Sequence, residues 1–353
     1  MKKALITTLQ ILVSISILAW VFRDPRKNAE MLQALRLADA RWLLAALAVT
    51  ASAPVCATLR WGLLLRAQNI VLPWLRVLEI FFVGNFFNLF GLGATGGDVV
   101  KIFYLLREPA AAGRKTTALL TVVMDRLLGL LGLVIIACVF IPLRFSWLTQ
   151  TKTSAGWLSA FLLILASAIG GIVVTAVVAY FNLADRLPAR LPGRAGIVQM
   201  STALRQYGRA WRTTLCCLAI SLPGHTALFG TVYYGARAFH LTAPSLLDLC
   251  TLMPIANTII SVPVSVSGMG VREGIFRQLL GDLCGVSEVN ATLLAEVQFL
   301  CNTFYCLIGG VVYLFYRSSH GTPPAATLED ETVGTASPEA ALGESVTAGL
   351  PHA

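Results

Sequence analysis

Two polar, glycine-rich signatures break into a chain otherwise made of long apolar runs: GLGATGGDVVKIFYLL (Gly91 to Leu106) and SVSGMGVREGIFRQLL (Ser265 to Leu280). Each follows an apolar stretch carrying asparagine, FFVGNFFNLF (Phe81 to Phe90) before the first and MPIANTIISVPV (Met253 to Val264) before the second. Each is followed in turn by a long apolar helix candidate. Broken, polar backbone at membrane depth is costly unless protein or a water-filled cavity satisfies it. Interruptions at matching places in two halves of a chain are the sequence mark of a transport site.

Composition says what kind of molecule houses them. Of 353 residues, 56% are hydrophobic and 13% charged, whereas a soluble domain carries about 25% charged residues. With a mean hydropathy of +0.74, the chain is an integral membrane protein. Its net charge of +9 does not point to nucleic acid, because the basic residues cluster in loops between apolar segments. There they set topology and meet anionic headgroups. Cys56, Cys138, Cys216, Cys217, Cys301 and Cys306 lie within apolar stretches and read as small packing hydrophobes. Cys250 and Cys284 fall on the expected outer side, and no bridge between them is expected. The histidines are scattered without metal spacing, so neither a metal nor a cofactor is expected.

A spanning helix needs about 20 mainly apolar residues. Six stretches qualify: Leu5 to Phe22, Trp42 to Leu59, Ala118 to Ile141, Trp157 to Phe181, Thr213 to Gly235 and Val289 to Tyr316. Two more, roughly Leu78 to Leu92 and Leu246 to Val266, are short or broken by Gly, Pro and Asn and read as re-entrant or half-spanning segments. Counting them as ordinary spans, for eight crossings, is the topological alternative. The first stretch follows Met1-Lys2-Lys3 as a signal peptide would, but RDPRK (Arg23 to Lys27) after it offers no small-residue cleavage site, so it reads as a retained anchor.

With the N-terminus inside and six crossings, the inner side collects 16 basic residues and the outer side 10, with Arg126 left inside a span. That bias agrees with a cytoplasmic N-terminus. The first signature then opens toward the cytoplasm and the second outward. Residues 1 to about 145 hold three spans and a broken segment, and about 150 to 317 repeat that order inverted, an architecture whose halves meet at a midplane site. The expected fold is an all-α integral membrane bundle, 1–317, of about six full spans and two re-entrant segments in inverted-repeat halves. The stretch from Ser318 to Ala353 holds four prolines and five acidic residues with no basic ones. Such a composition cannot bury enough surface to fold and reads as a disordered cytoplasmic tail.

Within the first signature Gly96 and Gly97 precede Asp98 and Lys101 on a helix-competent run. Glycine permits a tight turn and close approach of another group, and the helix N-terminus that follows favours an anion such as a lipid phosphate. Asp98 and Lys101, three residues apart, share a face. The plainer reading is that Asp98 caps the helix and Lys101 snorkels to headgroups. The second signature repeats the logic with Gly268, Gly270 and Gly274 around Arg272 and Glu273, after Pro254 and Pro263 have interrupted any continuous helix. Arg272 is placed to clamp a phosphate or carboxylate, with Glu273 as its partner or as a proton carrier. The plainer reading there is a superficial ion pair worth little.

Asp125 and Arg126 fall inside a span, where ionisable residues usually face the bundle interior and mark a pathway. Adjacent residues point about 100° apart on a helix. Arg126 is therefore expected to meet a lipid phosphate or Asp98, and Asp125 to meet Lys101, unless both snorkel toward the inner end. Glu296 follows Glu273 much as Asp125 follows Asp98 and is the second half's counterpart. His225, after the kinking pair Pro223-Gly224, suits proton sensing or, more ordinarily, a bond to a neighbouring carbonyl. Asn85, Asn88 and Asn257 are expected to satisfy the broken backbone.

At these residues the chain resembles the flippase-like transmembrane domains related to the membrane region of lysylphosphatidylglycerol synthase, the multiple peptide resistance factor. The resemblance covers roughly Lys3 to Tyr316. It rests on the N-x-x-N…GGD-x-x-K-x-x-x-L run (Asn85, Asn88, Gly96, Gly97, Asp98, Lys101, Leu105), the D-R-L-x-G-L stretch from Asp125 to Leu130, and the P…G-x-G-x-R-E-G run from Pro263 to Gly274. It implies a bacterial inner-membrane protein that moves or binds lipid: a phospholipid, aminoacylated in the best-known members, or a hopanoid, glycolipid or polyprenyl-linked lipid. The chain departs from the family in lacking a proline before GGD, where it reads GLGAT (Gly91 to Thr95). The tail also leaves no soluble aminoacyl-transfer domain, so that transferase activity is not implied.

The sequence is thus read as a lipid translocator that holds an anionic headgroup on helix N-termini with Lys101, Arg126 and Arg272. It carries no ATP-binding motif and no expected catalytic residue. The alternatives are an intramembrane lipid-modifying enzyme, using Asp98, Asp125 or Glu273 as acid or base, and a non-transporting partner in a lipid-biosynthetic complex.

Overall fold

A computed structural model describes residues 25–90, 96–181, 194–261 and 270–315, and among these no strand occurs. In chain order the helices are α1 (Pro25–Leu37), α2 (Ala40–Thr50), α3 (Ser52–Ala67), α4 (Trp74–Phe90), α5 (Gly96–Leu106), α6 (Lys115–Leu143), α7 (Phe145–Leu148), α8 (Lys152–Tyr180), α9 (Arg194–Arg209), α10 (Trp211–Ala238), α11 (Leu246–Ile260), α12 (Val271–Cys284) and α13 (Glu288–Phe315). Among the described residues, five stretches are long and apolar enough to cross a bilayer: Ala40–Ala67, Lys115–Leu143, Lys152–Gly171, Trp211–Ala238 and Glu288–Phe315. At 1.5 Å per residue a 28-residue helix is about 42 Å long, more than the hydrocarbon core of about 30 Å. The chain is therefore a polytopic helical membrane protein. The span read at Leu5 to Phe22, the segments 91–95 and 262–269, and the tail read from Ser318 lie outside the described residues.

Local chemistry sets the helix ends. The Asp39 carboxylate accepts from the Arg41 N–H at 2.9 Å and starts α2. Ser245 and Asp248 form a reciprocal capping box that starts α11. Gly285, at φ +66°, closes α12 in the left-handed conformation. The break between α2 and α3 precedes Pro54, which lacks an N–H and crowds the carbonyl four residues back.

The stretches counted in the sequence as loops at 25–37 and 194–209 carry α1 and α9. Mean hydropathy hides them because they are amphipathic: α9 buries Ala203 and Tyr207 against α6, while its basic residues keep its average polar.

The central pairing is antiparallel. Along α2–α3 and α10, Thr50 Oγ1 and Thr231 Oγ1 lie 2.7 Å apart, Cys56 packs on Gly224, and the Arg60 guanidinium donates to Ser221 Oγ at 2.9 Å. Two shorter helix pairs flank this centre. α4 (17 residues) and α5 (11 residues), about 25 and 16 Å long, are each too short to cross the core alone. They pack as an antiparallel hairpin in which Gly84 abuts Lys101 and Gly97 abuts both Gly84 and Asn88.

The base of this hairpin is tied by Arg76, which pairs with Glu108 at 2.7 Å and Glu79 at 2.8 Å. It lies beside the N-terminal end of α6, where Arg114 donates to the Gln68 carbonyl at 2.6 Å. α11 and α12 pack together as the second short pair. The start of α11 is held at the opposite end of α6, by Arg144 on Asp248 at 2.7 Å. With 29 residues, α6 separates the two by about 43 Å. The order of elements also repeats: α2–α3, α4–α5 and α6 are matched by α10, α11–α12 and α13. Each first short helix packs on the long helix of the other set, α4 on α13 and α11 on α6.

Close approach in the α4–α13 contact depends on glycine. A β-carbon at Gly309 would run into the Phe82 carbonyl, and one at Gly310 into the Phe86 ring. Gly309→Val is therefore expected to cost about 1–3 kcal/mol through overpacking, measured as a lowered Tm of the detergent-purified protein. Gly156→Ala, at a position with open space around it, is the control and is expected to leave the Tm unchanged or slightly raised.

Candidate functional site

The tip of the first hairpin assembles a charged cluster from four elements. On α4, the Asn88 carbonyl oxygen accepts the Gly97 N–H at 2.9 Å. A helix-start amide that would otherwise lack a partner is thereby satisfied, as expected of an asparagine beside the break. That contact seats α5 so that Lys101 lies under α4 with 5% of its surface exposed. Its Nζ stands 4.0 Å from the centre of the Phe81 ring and 5.9 Å from that of Trp61. Trp61 is fully buried, and its indole N–H has no partner among the described residues. Asn85, on the same helix as Asn88, is half-buried.

α6 supplies the facing groups. Arg126 forms an ion pair with Asp98, as expected, and keeps its side chain about half exposed at the edge of the cluster. Asp125 differs from expectation. It is buried, and its partner is Arg60 of α3, with Nε to Oδ1 at 2.7 Å, rather than Lys101. The reason is geometric. Gly129 and Gly132 follow Asp125 on one face of α6; the Arg60 guanidinium fills the space over Gly129, and Ser221 and His225 of α10 fill the space over Gly132. Arg60 thus reaches Asp125 with one nitrogen and Ser221 with another.

Both carboxylates are taken by arginines, and among the described residues none lies within ion-pair distance of Lys101. Three cations (Arg60, Lys101, Arg126) against two anions (Asp98, Asp125) leave the cluster with one positive charge in excess. The sequence reading missed Arg60, Trp61, Phe81 and Ser221. The signal for Arg60 was the apolar run that continues past it, WGLLL from Trp61 to Leu65, which keeps it inside the helix.

The second hairpin builds a different cluster. Gly270, at φ +81°, precedes α12, so Arg272 and Glu273 fall in its first turn. Glu273 is 1% exposed, and its Oε2 has no partner among the described residues. Its carboxyl is within hydrogen-bonding reach of that of Glu296 on α13. The Arg272 guanidinium lies 5.1 Å from the Phe299 ring centre and within electrostatic reach of both acids. On α11, Asn257 Nδ2 and Thr258 Oγ1 are buried without partners. A β-carbon at Gly274 would meet nothing within 4 Å, and Gly268 lies outside the described residues.

His225 follows its ordinary reading: Nε2 is 2.8 Å from the Gly129 carbonyl. All eight cysteines, Cys250 and Cys284 included, are free. Among the described residues no group of three or more metal-ligating side chains occurs.

Residues 7–310 of the chain match the protein-family model described as the lysylphosphatidylglycerol synthase TM region. A UPF0104 membrane protein of Pyrococcus horikoshii is 26% identical over 136 residues, which is 38% of this chain and 39% of that relative. The chain therefore aligns with well under half the length of that protein. No solved structure matches it.

The Arg60–Asp125 pair yields a stability prediction. Arg60→Ala leaves a buried carboxylate uncompensated and is expected to cost about 3–5 kcal/mol. The double variant Arg60→Ala/Asp125→Ala should recover much of that loss. Thermal unfolding of the two purified variants beside the parent protein checks the order.

Proposed function

The chain belongs to the family of the lysylphosphatidylglycerol synthase transmembrane region, and from this premise we propose that it moves an anionic or lipid-linked headgroup between the leaflets of a bacterial inner membrane. The observation that carries the reading is Lys101. An ammonium buried at membrane depth is costly and marks a pathway when it occurs. The Phe81 face offsets part of that cost, a desolvated cation–π contact being worth about 2 kcal/mol. Asp98 and Asp125 act on Lys101 only from beyond ion-pair distance, and among the described residues no carboxylate completes the site. A phosphate oxygen does, and the partnerless indole N–H of Trp61 belongs to the same wall.

In this reading the two short helix pairs are re-entrant, entered from opposite faces of the membrane, and both chain termini are cytoplasmic. The headgroup passes Arg126 at the cluster's edge and exchanges onto Lys101 and the α5 N-terminus near Gly97. The acyl chains stay in the bilayer. The two sets of helices, crossing at α2–α3 and α10, rock about that contact to alternate access. The reading assigns no covalent step to Asp98 or Asp125, because each is already held by an arginine as an ion pair rather than poised as acid or base.

The test is transbilayer movement of a labelled phosphatidylglycerol in proteoliposomes. The parent protein should accelerate it over protein-free vesicles. Lys101→Gln should lower the protein-dependent rate at least about tenfold, the equivalent of about 1.4 kcal/mol, while Lys101→Arg should retain part of it. Equal rates for the parent and Lys101→Gln sink the proposal, and so does recovery of a chemically altered lipid in place of a relocated one.

A further inference from the structure

The first turns of α5 and α12 place an acid in the same frame. Asp98 is the third residue of α5 and Glu273 the third of α12, where a helix N-terminus favours a carboxylate. Each reaches across to the following long helix. In the first hairpin the group met there is a guanidinium, that of Arg126 on α6. In the second it is another carboxyl, that of Glu296 on α13. Two carboxylates share a hydrogen bond only when one of them carries a proton, and ionising the second beside the first is costly in a low-dielectric interior, so such a pair binds a proton. Glu273 is buried and keeps an oxygen without a partner, turned away from solvent.

We propose that Glu273 and Glu296 form a proton-binding site, the proton filling the place that the Arg126 guanidinium fills in the first half, and that its uptake and release drive the lipid step. The coupling clause rests on the translocation reading above; the proton site does not. The pair shares the proton, and the Arg272 guanidinium stands within electrostatic reach of both acids. Binding is a simple addition: a carboxylate and a proton give a carboxylic acid, and the Arg272–Glu273–Glu296 cluster passes from one net negative charge to neutral.

The charged groups acting on Glu296 are Glu273 and Arg272. Asp248, on the packed α11, is engaged at the base by Arg144 and Ser245. From α1, α2, α4, α8 and α10 no charged side chain acts on Glu296 among the described residues. Glu296 also stands on the helix whose Gly309 and Gly310 touch Phe82 and Phe86 of α4. A shift of α13 on protonation is therefore felt by the hairpin that holds Lys101.

Two measurements on the full chain test this. In nanodiscs, infrared difference spectra across the neutral pH range should show the carbonyl stretch of a protonated carboxylic acid that titrates. Glu296→Gln and Glu273→Gln should each remove it, while Glu296→Asp should keep it with a shifted midpoint, which covers the case in which a glutamine variant fails to fold. No titrating band in the parent, a band untouched by both glutamine variants, or thermal stabilisation by sodium in place of the titration overturns the site. In proteoliposomes carrying a pH gradient, reversing the gradient should change the rate of labelled phosphatidylglycerol movement severalfold in the parent but not in Glu296→Gln. Lipid movement indifferent to the gradient overturns the coupling and leaves translocation standing. A titrating carboxyl with no lipid movement overturns translocation and the coupling with it, and leaves the proton site standing.

Discussion

The structure turns on how the amides at the start of α5 are satisfied. A helix that begins among apolar side chains leaves N–H groups without partners unless a neighbouring side chain meets them. Here the first amides after the break are met from the side, by Asn88 on the Gly97 N–H, and that bond requires α4 and α5 to touch. They touch because Gly84 and Gly97 carry no side chain at the crossing. Once they touch, Lys101, one turn further along α5, has nowhere to lie except beneath α4, against Phe81. The buried cation thus follows from the solution to the backbone problem, and the long helix that closes over it must bring charge.

α6 brings it in a form that fixes two things at once. Asp125 faces the centre and is taken by Arg60, which also bonds Ser221. α3, α6 and α10 are thereby tied together where the antiparallel pair crosses. Arg126, one residue on and about 100° around the helix, faces the hairpin tip and takes Asp98. The second hairpin has the same frame with the charge changed, an acid standing where the first half has an arginine. Similar backbone geometry with opposite local charge is what separate ligands at the two tips require.

Much of this was legible in the residues, for identifiable reasons. The fold class follows from apolar length alone. The role of Asn88 was readable because an asparagine within an apolar run, just ahead of a glycine break, has few other uses. The Arg126–Asp98 pair was readable from opposite charges flanking a helix start and the middle of the next span. What the residues hid is instructive. An apolar window that ends at Leu59 leaves Arg60 in a loop, although the helix runs on to Ala67. With Arg60 outside the span, Lys101 is the cation that the spacing offers Asp125. The helices α1 and α9 were hidden by averaging, since half of each is polar. The Glu273–Glu296 contact joins residues on two helices and depends on how α12 docks, which no spacing along the chain encodes.

The charges of the two clusters also bear on when the molecule can move. Empty, the first carries one positive charge in excess and the second, with both acids ionised, one negative. Moving a net charge toward the bilayer centre costs about 2.5–3.5 kcal/mol on insertion scales, on the order of a hundredfold in population. In the proposed reading, an anionic headgroup at the first cluster and a proton at the second each bring their site to neutrality. A rocking motion that draws the hairpin tips through the hydrocarbon is therefore least hindered when both are loaded and most hindered when both are empty. That difference makes the empty carrier reluctant to leak, and it requires nothing beyond one cation in excess of the acids at the first cluster and one acid in excess of the arginine at the second.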